Sequence, residues 1–326
     1  MAVEVLCLRP EADFARVDAL PPRSLNVGYG KPDDAALAQR IKASSALVIP
    51  AVGPKLPAML FTGCALALVQ VTGAGVDRLD EAALTRFGIP VANVAGASNS
   101  AVAEYAVTSA STLLRRLAWA SAEIGHGNYV DFRARMLADN LAGLDGLLVG
   151  VVGFGTIGVA VARAFHGMGC RICFHDPAAR DLDAAKALDA QAMPLDQLLA
   201  SADVVTLHVP LLPETRGMID DRALGTMKPG AILIQAARGG IVDEAALARH
   251  LASGHLGGAA VDVYSTEPPG SDNPLLALKG EGARRLLLTP HIAGVTRQSS
   301  AILFRSAWEN VERVLVRGEP PLNRVY

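Results

Sequence analysis

The stretch Gly150-Val151-Val152-Gly153-Phe154-Gly155-Thr156-Ile157-Gly158 constrains this chain more than any other. The apolar run Leu147–Val149 leads into it as a buried strand, and Val159–Phe165 leaves it as a helix. At such a junction each glycine of Gly153-x-Gly155-x-x-Gly158 has a physical task. The first permits a tight turn, the second lets the backbone approach a pyrophosphate, and the third lets helix and strand pack closely. An anion would rest on N–H groups at the positive end of the helix. A glycine triplet alone is a weak signal, so the next strand matters. Arg171–His175 ends in Asp176, 18 positions beyond Gly158. Roughly 20 is the spacing expected for the acid that holds the ribose hydroxyls of NAD. An Asp-Pro pair also starts turns, so Asp176 with Pro177 has a purely local reading as well. With the glycine motif in place, NAD is the expected cofactor, and a carboxylate here disfavours the 2′-phosphate of NADP.

Around this unit the chain alternates strand and helix signals. In residues 1 to about 97, Val3–Leu8, Ala46–Ile49 and Leu66–Val71 read as strands, and Asp33–Lys42 and Asp80–Phe87 as helices. Ser98–Ala118 predicts one long helix, apolar on all sides and therefore set between layers. Residues 125–145, with Gly125, Gly127, Asn128 and Asn140, suggest an excursion from the compact lobe. Strands follow near 148–152, 171–175, 203–208, 231–236, 257–262 and 286–289, with helices at Ala184–Leu188, Leu195–Leu199, Asp221–Met227 and Asp243–Leu251 between most of them. That order implies parallel strands with right-handed crossovers. A last helix pattern, Thr296–Val316, has no place in the cofactor sheet and is expected to return to the first lobe.

With 326 residues, 51% of them apolar, the chain can bury two cores. A net charge of −2 with isolated arginine pairs argues against nucleic-acid binding. The stretch Met1–Leu8 lacks the pattern of a signal peptide, and the uncharged run 146–162 is too short and glycine-rich for a membrane span. A cytoplasmic protein is expected. Cys170 and Cys173 form a C-x-x-C pair on a strand, where residues three apart face opposite ways. They are read as buried thiols, and no metal site is expected.

Ligands of a doubly wound sheet gather at the carboxyl ends of its strands. Arg238, Glu267 and His291 fall just beyond such ends, each beside rigid punctuation: Gly239-Gly240, Pro268-Pro269 and Pro290. Singly they read as a surface arginine, a turn acid and a loop histidine. Together at one edge of an NAD sheet they supply the fixed cation and the proton donor that hydride transfer to a keto acid needs. In the first lobe, Val71-Thr72-Gly73-Ala74-Gly75-Val76-Asp77 follows a strand, and the N–H groups of residues 73–76 could form a nest for a small carboxylate.

These motifs resemble the D-isomer-specific 2-hydroxyacid dehydrogenase family over nearly the whole chain. The glycine motif with Asp176 is similar to its cofactor fingerprint, and His208-Val209-Pro210-Leu211-Leu212-Pro213-Glu214-Thr215-Arg216-Gly217 to its next block. Ala236-Ala237-Arg238-Gly239-Gly240, Asp262-Val263-Tyr264-Ser265-Thr266-Glu267-Pro268 and Thr289-Pro290-His291-Ile292-Ala293-Gly294 resemble its three catalytic motifs. The resemblance implies that His291 is the acid/base, Glu267 supports it and Arg238 binds substrate. Asp262 would lie near the nicotinamide, and residues 73–76 would meet the substrate carboxylate. The implied cofactor set is Gly153, Phe154, Gly155, Thr156, Ile157, Gly158, His175, Asp176, His208, Val209, Pro210, Thr215, Ala236, Ala237, Arg238, Asp262, His291 and Gly294. The implied substrate set is Val52, Gly53, Thr72, Gly73, Ala74, Gly75, Arg238 and His291.

The expected fold is α/β, two doubly wound parallel-sheet lobes with a Rossmann cofactor domain (98–292) inserted in a smaller flavodoxin-like substrate domain (1–97 plus 293–326). A homodimer with residues near 100–145 at its interface is implied. The chain departs from the phosphoglycerate branch, since Ile49-Pro50-Ala51-Val52-Gly53-Pro54 carries no arginine, and from many relatives in having Ala95 where they have proline. The expected activity is hydride transfer between NAD(H) and C2 of a small D-2-hydroxy or 2-oxo acid such as glyoxylate, hydroxypyruvate or a pyruvate-like compound. A formate- or phosphite-type dehydrogenase, or a non-catalytic NAD-sensing corepressor-like protein, are the alternatives.

Overall fold

The computed structural model describes residues 4–178 and 183–326. Val3, the first residue of the expected opening strand, lies outside that range. The chain divides into two compact units, Met1–Ser98 with Val295–Tyr326, and Asn99–Gly294.

The first unit runs β1 (Val5–Cys7), α1 (Glu11–Ala15), β2 (Val27–Tyr29), α2 (Leu37–Lys42), β3 (Ala46–Ile49), a 3-10 turn (Ala58–Phe61), β4 (Leu68–Val71), α3 (Glu81–Arg86) and β5 (Val91–Ala92). Its strands form one parallel sheet in the order β2-β1-β3-β4-β5. Every residue of β1, β3 and β4 is buried, so apolar runs rather than alternating patterns mark these strands. The strands β2 and β5 were not expected: they are three and two residues long, too short to set a pattern.

The second unit runs α4 (Asn99–Leu114), α5 (Leu117–Gly125), α6 (Tyr129–Ala138), β6 (Leu148–Val152), α7 (Thr156–Gly167), β7 (Arg171–His175), α8 (Asp183–Ala187), β8 (Gln191–Ala192), α9 (Leu195–Ser201), β9 (Val204–Leu207), α10 (Asp221–Thr226), β10 (Ile232–Gln235), α11 (Glu244–Ser253), β11 (Gly258–Val261), α12 (Gly280–Arg284) and β12 (Leu286–Leu288). Its parallel sheet has the order β12-β11-β10-β9-β6-β7-β8, with the switch of direction beside β6. A separate apolar core covers each face. Cys173 belongs to one core and Cys170 to the other, as opposite-facing positions require.

The expected single helix over 98–118 is broken. Arg116 takes a left-handed conformation with φ 52°, which ends one helix and starts α5. The excursion over 125–145 is mostly helical, because α6 turns Phe132 inward to meet Trp119 at 5.3 Å between ring centroids. Among the described residues no helix is long and apolar enough to cross a membrane.

The last helix, α13 (Arg297–Leu315), packs in the first unit. Its Thr296 cap and Ser299 make a reciprocal capping box. Phe304 and Trp308 enclose Phe14 at 4.8 and 5.0 Å. One buried polar link ties α13 to the sheet, Asn310 Nδ2 donating to Gln70 Oε1 at 2.6 Å.

Candidate active site

In the second unit the glycine motif forms the turn from β6 into α7. Gly153 has φ +91°, and a Cβ there would lie 2.5 Å from the His208 carbonyl oxygen. At Gly158 a Cβ would meet the Gly153 carbonyl at 2.0 Å, so the close approach of strand and helix demands glycine. Gly155 differs: a Cβ there would find nothing within 4 Å. The protein's own atoms do not require glycine at 155; the backbone faces open space at the start of a 12-residue helix with no side-chain cap. A pyrophosphate fits that place, on amides that have no partner within the helix.

Asp176 ends β7 and turns back to this loop. Its Oδ2 accepts from Phe154 N–H at 2.8 Å and its Oδ1 from Ala178 N–H at 3.0 Å. Asp176 therefore starts the local turn and stands beside the glycine loop. Phe154 itself is turned inward, stacked on Phe174 at 4.0 Å, so its side chain anchors the loop rather than lining it. His175 is anchored as well: its ring nitrogen Nδ1 lies 3.2 Å from Met193 O, and its carbonyl accepts from Gly153 N–H.

The block 208–215 follows β9. His208 Nε2 lies 2.8 Å from Thr206 Oγ1, and burial pushes the imidazole down to about 3, leaving it neutral. Thr215 uses its hydroxyl on the turn, donating to Pro210 O at 2.6 Å and accepting from Leu212 N–H at 2.8 Å. It shapes the path of Val209 and Pro210.

The three residues of the expected chemistry sit on loops after β10, β11 and β12. Ala236, Ala237 and Arg238 follow β10, where the buried Gln235 donates to Arg238 O at 2.9 Å and accepts from Ala237 N–H at 3.3 Å. Arg238 Nη1 donates back to Ala237 O at 2.7 Å. His291 Nδ1 is 2.8 Å from Glu267 Oε2, and Glu267 Oε1 accepts from Tyr264 N–H at 3.1 Å. Burial alone would raise the Glu267 carboxyl. The hydrogen bonds from His291 and Tyr264 N–H, with the charges of His291 and Arg238, outweigh it and hold the group below its ordinary 4.5.

Asp262 is the hub of the histidine loop. Fully buried, it accepts from Thr289 Oγ1 at 2.6 Å and Ile292 N–H at 2.8 Å on one oxygen, and from Ala293 N–H at 2.8 Å on the other. Its backbone carbonyl accepts from His291 N–H. His291 sits between these anchors with φ 56°, an uncommon conformation that the surrounding bonds hold in place. These bonds commit the Asp262 carboxylate to residues 289–293. Thr289 and Tyr105, whose hydroxyls lie 2.8 Å apart, extend this hub. Tyr105 carried no signal in the sequence, being one aromatic residue in an apolar helix.

In the first unit, Thr72–Val76 form the turn after β4. Among the described residues no protein group accepts from the amides of residues 73–76. The carbonyls of Gly73 and Ala74 are held by Val94 N–H at 2.9 Å and Asn93 Nδ2 at 2.7 Å. Gly73 has no room for a side chain, because a Cβ would come within 2.7 Å of Ala51 Cβ. Gly75 completes the turn, and Val52 and Gly53 lie exposed on the neighbouring loop after β3. The Thr72 hydroxyl accepts from Arg9 Nε at 3.3 Å, a cation that sequence order places far away.

Residues 107–293 match the family described as D-isomer specific 2-hydroxyacid dehydrogenase, NAD binding domain. The chain is 40% identical over 250 residues to (S)-sulfolactate dehydrogenase of Chromohalobacter salexigens, covering 77% of this chain and 78% of that protein. It is 32% identical to glyoxylate reductase of Korarchaeum cryptofilum, covering 97% and 93%. Against D-3-phosphoglycerate dehydrogenase 2 of Arabidopsis thaliana the match spans only 41% of that longer protein. The crystal structure of D-mandelate dehydrogenase from Rhodotorula graminis superposes with a TM-score of 0.82 at 26% identity, covering 100% of this chain and 98% of that one. With its paired parallel sheets, its glycine turn and this likeness along nearly its full length, the chain belongs to the D-isomer specific 2-hydroxyacid dehydrogenase family as an NAD-dependent enzyme.

Proposed function

We propose that this enzyme reduces 2-oxo acids of modest size, such as glyoxylate, hydroxypyruvate or pyruvate-like compounds, to D-2-hydroxy acids. The observation that carries the reading is the 2.8 Å bond between His291 Nδ1 and Glu267 Oε2, on a loop that Asp262 pins by three further bonds. Gly153–Gly158 and Asp176 would hold the cofactor, which when bound supplies hydride to C2. An ionised Glu267 accepts, so Nδ1 of His291 carries a proton; Nε2 carries one only in the imidazolium. The imidazolium therefore gives its Nε2 proton to the carbonyl oxygen and is left as the neutral Nδ1–H tautomer, still bonded to Glu267. Arg238 offers a planar cation for the carboxylate or the developing alkoxide. The free amides of residues 73–76 suit the carboxylate.

The likeness to a glyoxylate reductase over 97% of the chain favours a small acid. A substrate with a second acidic group is the competing reading, supported by Arg9 beside Thr72 and by the sulfolactate dehydrogenase relative. Measuring kcat/KM at one pH for glyoxylate, pyruvate, hydroxypyruvate, 3-sulfopyruvate and 3-phosphohydroxypyruvate separates them. A clear preference for a sulfonated or phosphorylated acid would replace the first reading by the second.

We also place the enzyme in the cytoplasm as a homodimer. Four free cysteines suit a reducing compartment. The exposed Leu117, Ile124, Tyr129, Val130 and Leu137 on α5 and α6 supply apolar surface for a second copy.

A further inference from the structure

Arg78 stands just past the nest and takes no part in the acid–base pair or the cofactor turn, yet it is only 4% exposed. Its Nε donates to Pro54 O and its Nη1 to Pro50 O, both at 2.8 Å, so one guanidinium grips both ends of the loop after β3. Leu56 N–H donates to the Arg78 carbonyl at 2.9 Å, closing the same loop from its far side. Gly53 lies against the guanidinium: its φ is +135°, and a Cβ there would be 3.1 Å from Arg78 Cζ. The third nitrogen, Nη2, is buried with no hydrogen-bond partner among the described residues.

A charge buried this far is costly unless it is fully bonded. Burial, and then the charge of Arg9, push the guanidinium down from its ordinary value. An apolar side chain would fill the space without that penalty, but it could not hold two carbonyls at once. A planar fork can. The loop it holds also carries Ala51, whose methyl group occupies the space a side chain on Gly73 of the nest would need.

Resting on the 2-oxo acid reading above, we propose that Arg78 is a positioning residue that sets specificity for the side chain of the acid. It does so by fixing loop 50–54, and with it Val52 and Gly53, against the carboxylate nest at residues 73–76. The residue touches the loop and acts through it.

The test compares the parent enzyme with Arg78→Met, which keeps length but has no donors, with Arg78→Lys, which keeps charge but not the fork, and with Gly53→Ala, which leaves Arg78 intact. In Arg78→Met, losing charge-assisted bonds should raise KM for the preferred acid about 30-fold while kcat stays within about threefold. KM for NADH should not move. Across an acid series of increasing side-chain size, the spread in kcat/KM should narrow by about tenfold or more. Arg78→Lys should not restore it, and Gly53→Ala should narrow it too. Amide hydrogen exchange over residues 50–56 in the cofactor-free protein should quicken in Arg78→Met, a readout independent of turnover. A folded Arg78→Met with an unchanged acid ranking overturns the proposal, as does unchanged exchange over residues 50–56 or a fall in kcat at constant KM. Should Arg78→Met fail to fold, an unchanged ranking in Gly53→Ala overturns it. No turnover of any 2-oxo acid by the parent would refute the substrate reading and the specificity role together, whereas turnover with an unchanged ranking refutes the role alone.

Discussion

Gly155→Ala isolates the cofactor from the fold. Gly155 has φ −77° and ψ −164°, a conformation open to any residue, and a Cβ there meets nothing within 4 Å. Replacing glycine by alanine at a compatible position stabilises by about 0.4–1 kcal/mol, because the unfolded chain loses freedom. Yet the new methyl group would fill the space into which the α7 amides point. Losing one charge-assisted hydrogen bond costs about 1.5–3 kcal/mol. At about 1.4 kcal/mol per tenfold, NADH affinity should fall by about ten- to a hundredfold. Gly158→Ala is the contrast: its Cβ would overlap the Gly153 carbonyl at 2.0 Å, and overpacking of this kind costs about 1–3 kcal/mol or more. Urea unfolding reads the first quantity and fluorescence titration of NADH, without oxo acid, the second. A Gly155→Ala protein that binds NADH within about twofold of the parent, or that is destabilised as Gly158→Ala is, refutes the assignment of that space.

His291→Asn should lower the reduction rate by at least about a hundredfold while NADH affinity stays within a few-fold; near-normal turnover removes His291 from the mechanism. Asp176→Ala should loosen the preference for NAD over NADP and release the Phe154 amide; a parent enzyme that already favours NADPH contradicts the role given to β7. The Glu267 carboxyl is held below its ordinary 4.5, so its bond to His291 is intact above the usual carboxylate range and is lost only as pH falls through that lowered value. Reduction should therefore fade as pH falls through that lowered value, when Glu267 is protonated and no longer accepts from His291, and Glu267→Gln should lower the rate and remove that acid limb. An unmoved limb in Glu267→Gln separates the carboxylate from the proton transfer.

The cofactor unit was legible because its signals are local. The β6 turn, the α7 start and the Asp176 spacing lie within one short segment, and buried parallel strands announce themselves as apolar runs. What stayed hidden needs the chain to fold first. Arg9 meets Thr72 only because β1 and β4 share a sheet, on either side of β3. Arg78 follows the nest in sequence, yet its grip on Pro50 and Pro54 exists only once the loops after β3 and β4 are neighbours. The break at Arg116 was missed for another reason: it is a left-handed arginine in a helical pattern, and side-chain type does not advertise it. Phe154 lay inside the right motif, but position in a motif does not fix direction, and stacking on Phe174 turned it to the core.

Each of the three acids serves the backbone as well as the role proposed for it. Asp176 accepts from two backbone amides, one of them in the glycine loop. Asp262 accepts from two amides and a hydroxyl that together frame His291. Glu267 divides its oxygens between an amide and the imidazole itself. Each carboxylate thus ties down the loop it meets. Three donors meet the buried Asp262 carboxylate, all of them from residues 289–293, so its contacts are those of a loop anchor. Glu267, only partly buried, is the one of the three that places an oxygen on His291 itself, so in the proposed reaction it is the carboxylate that would act on the imidazole. Substituting Asp262 should then disturb both fold and rate, whereas substituting Glu267 should alter rate and its pH dependence with the fold intact.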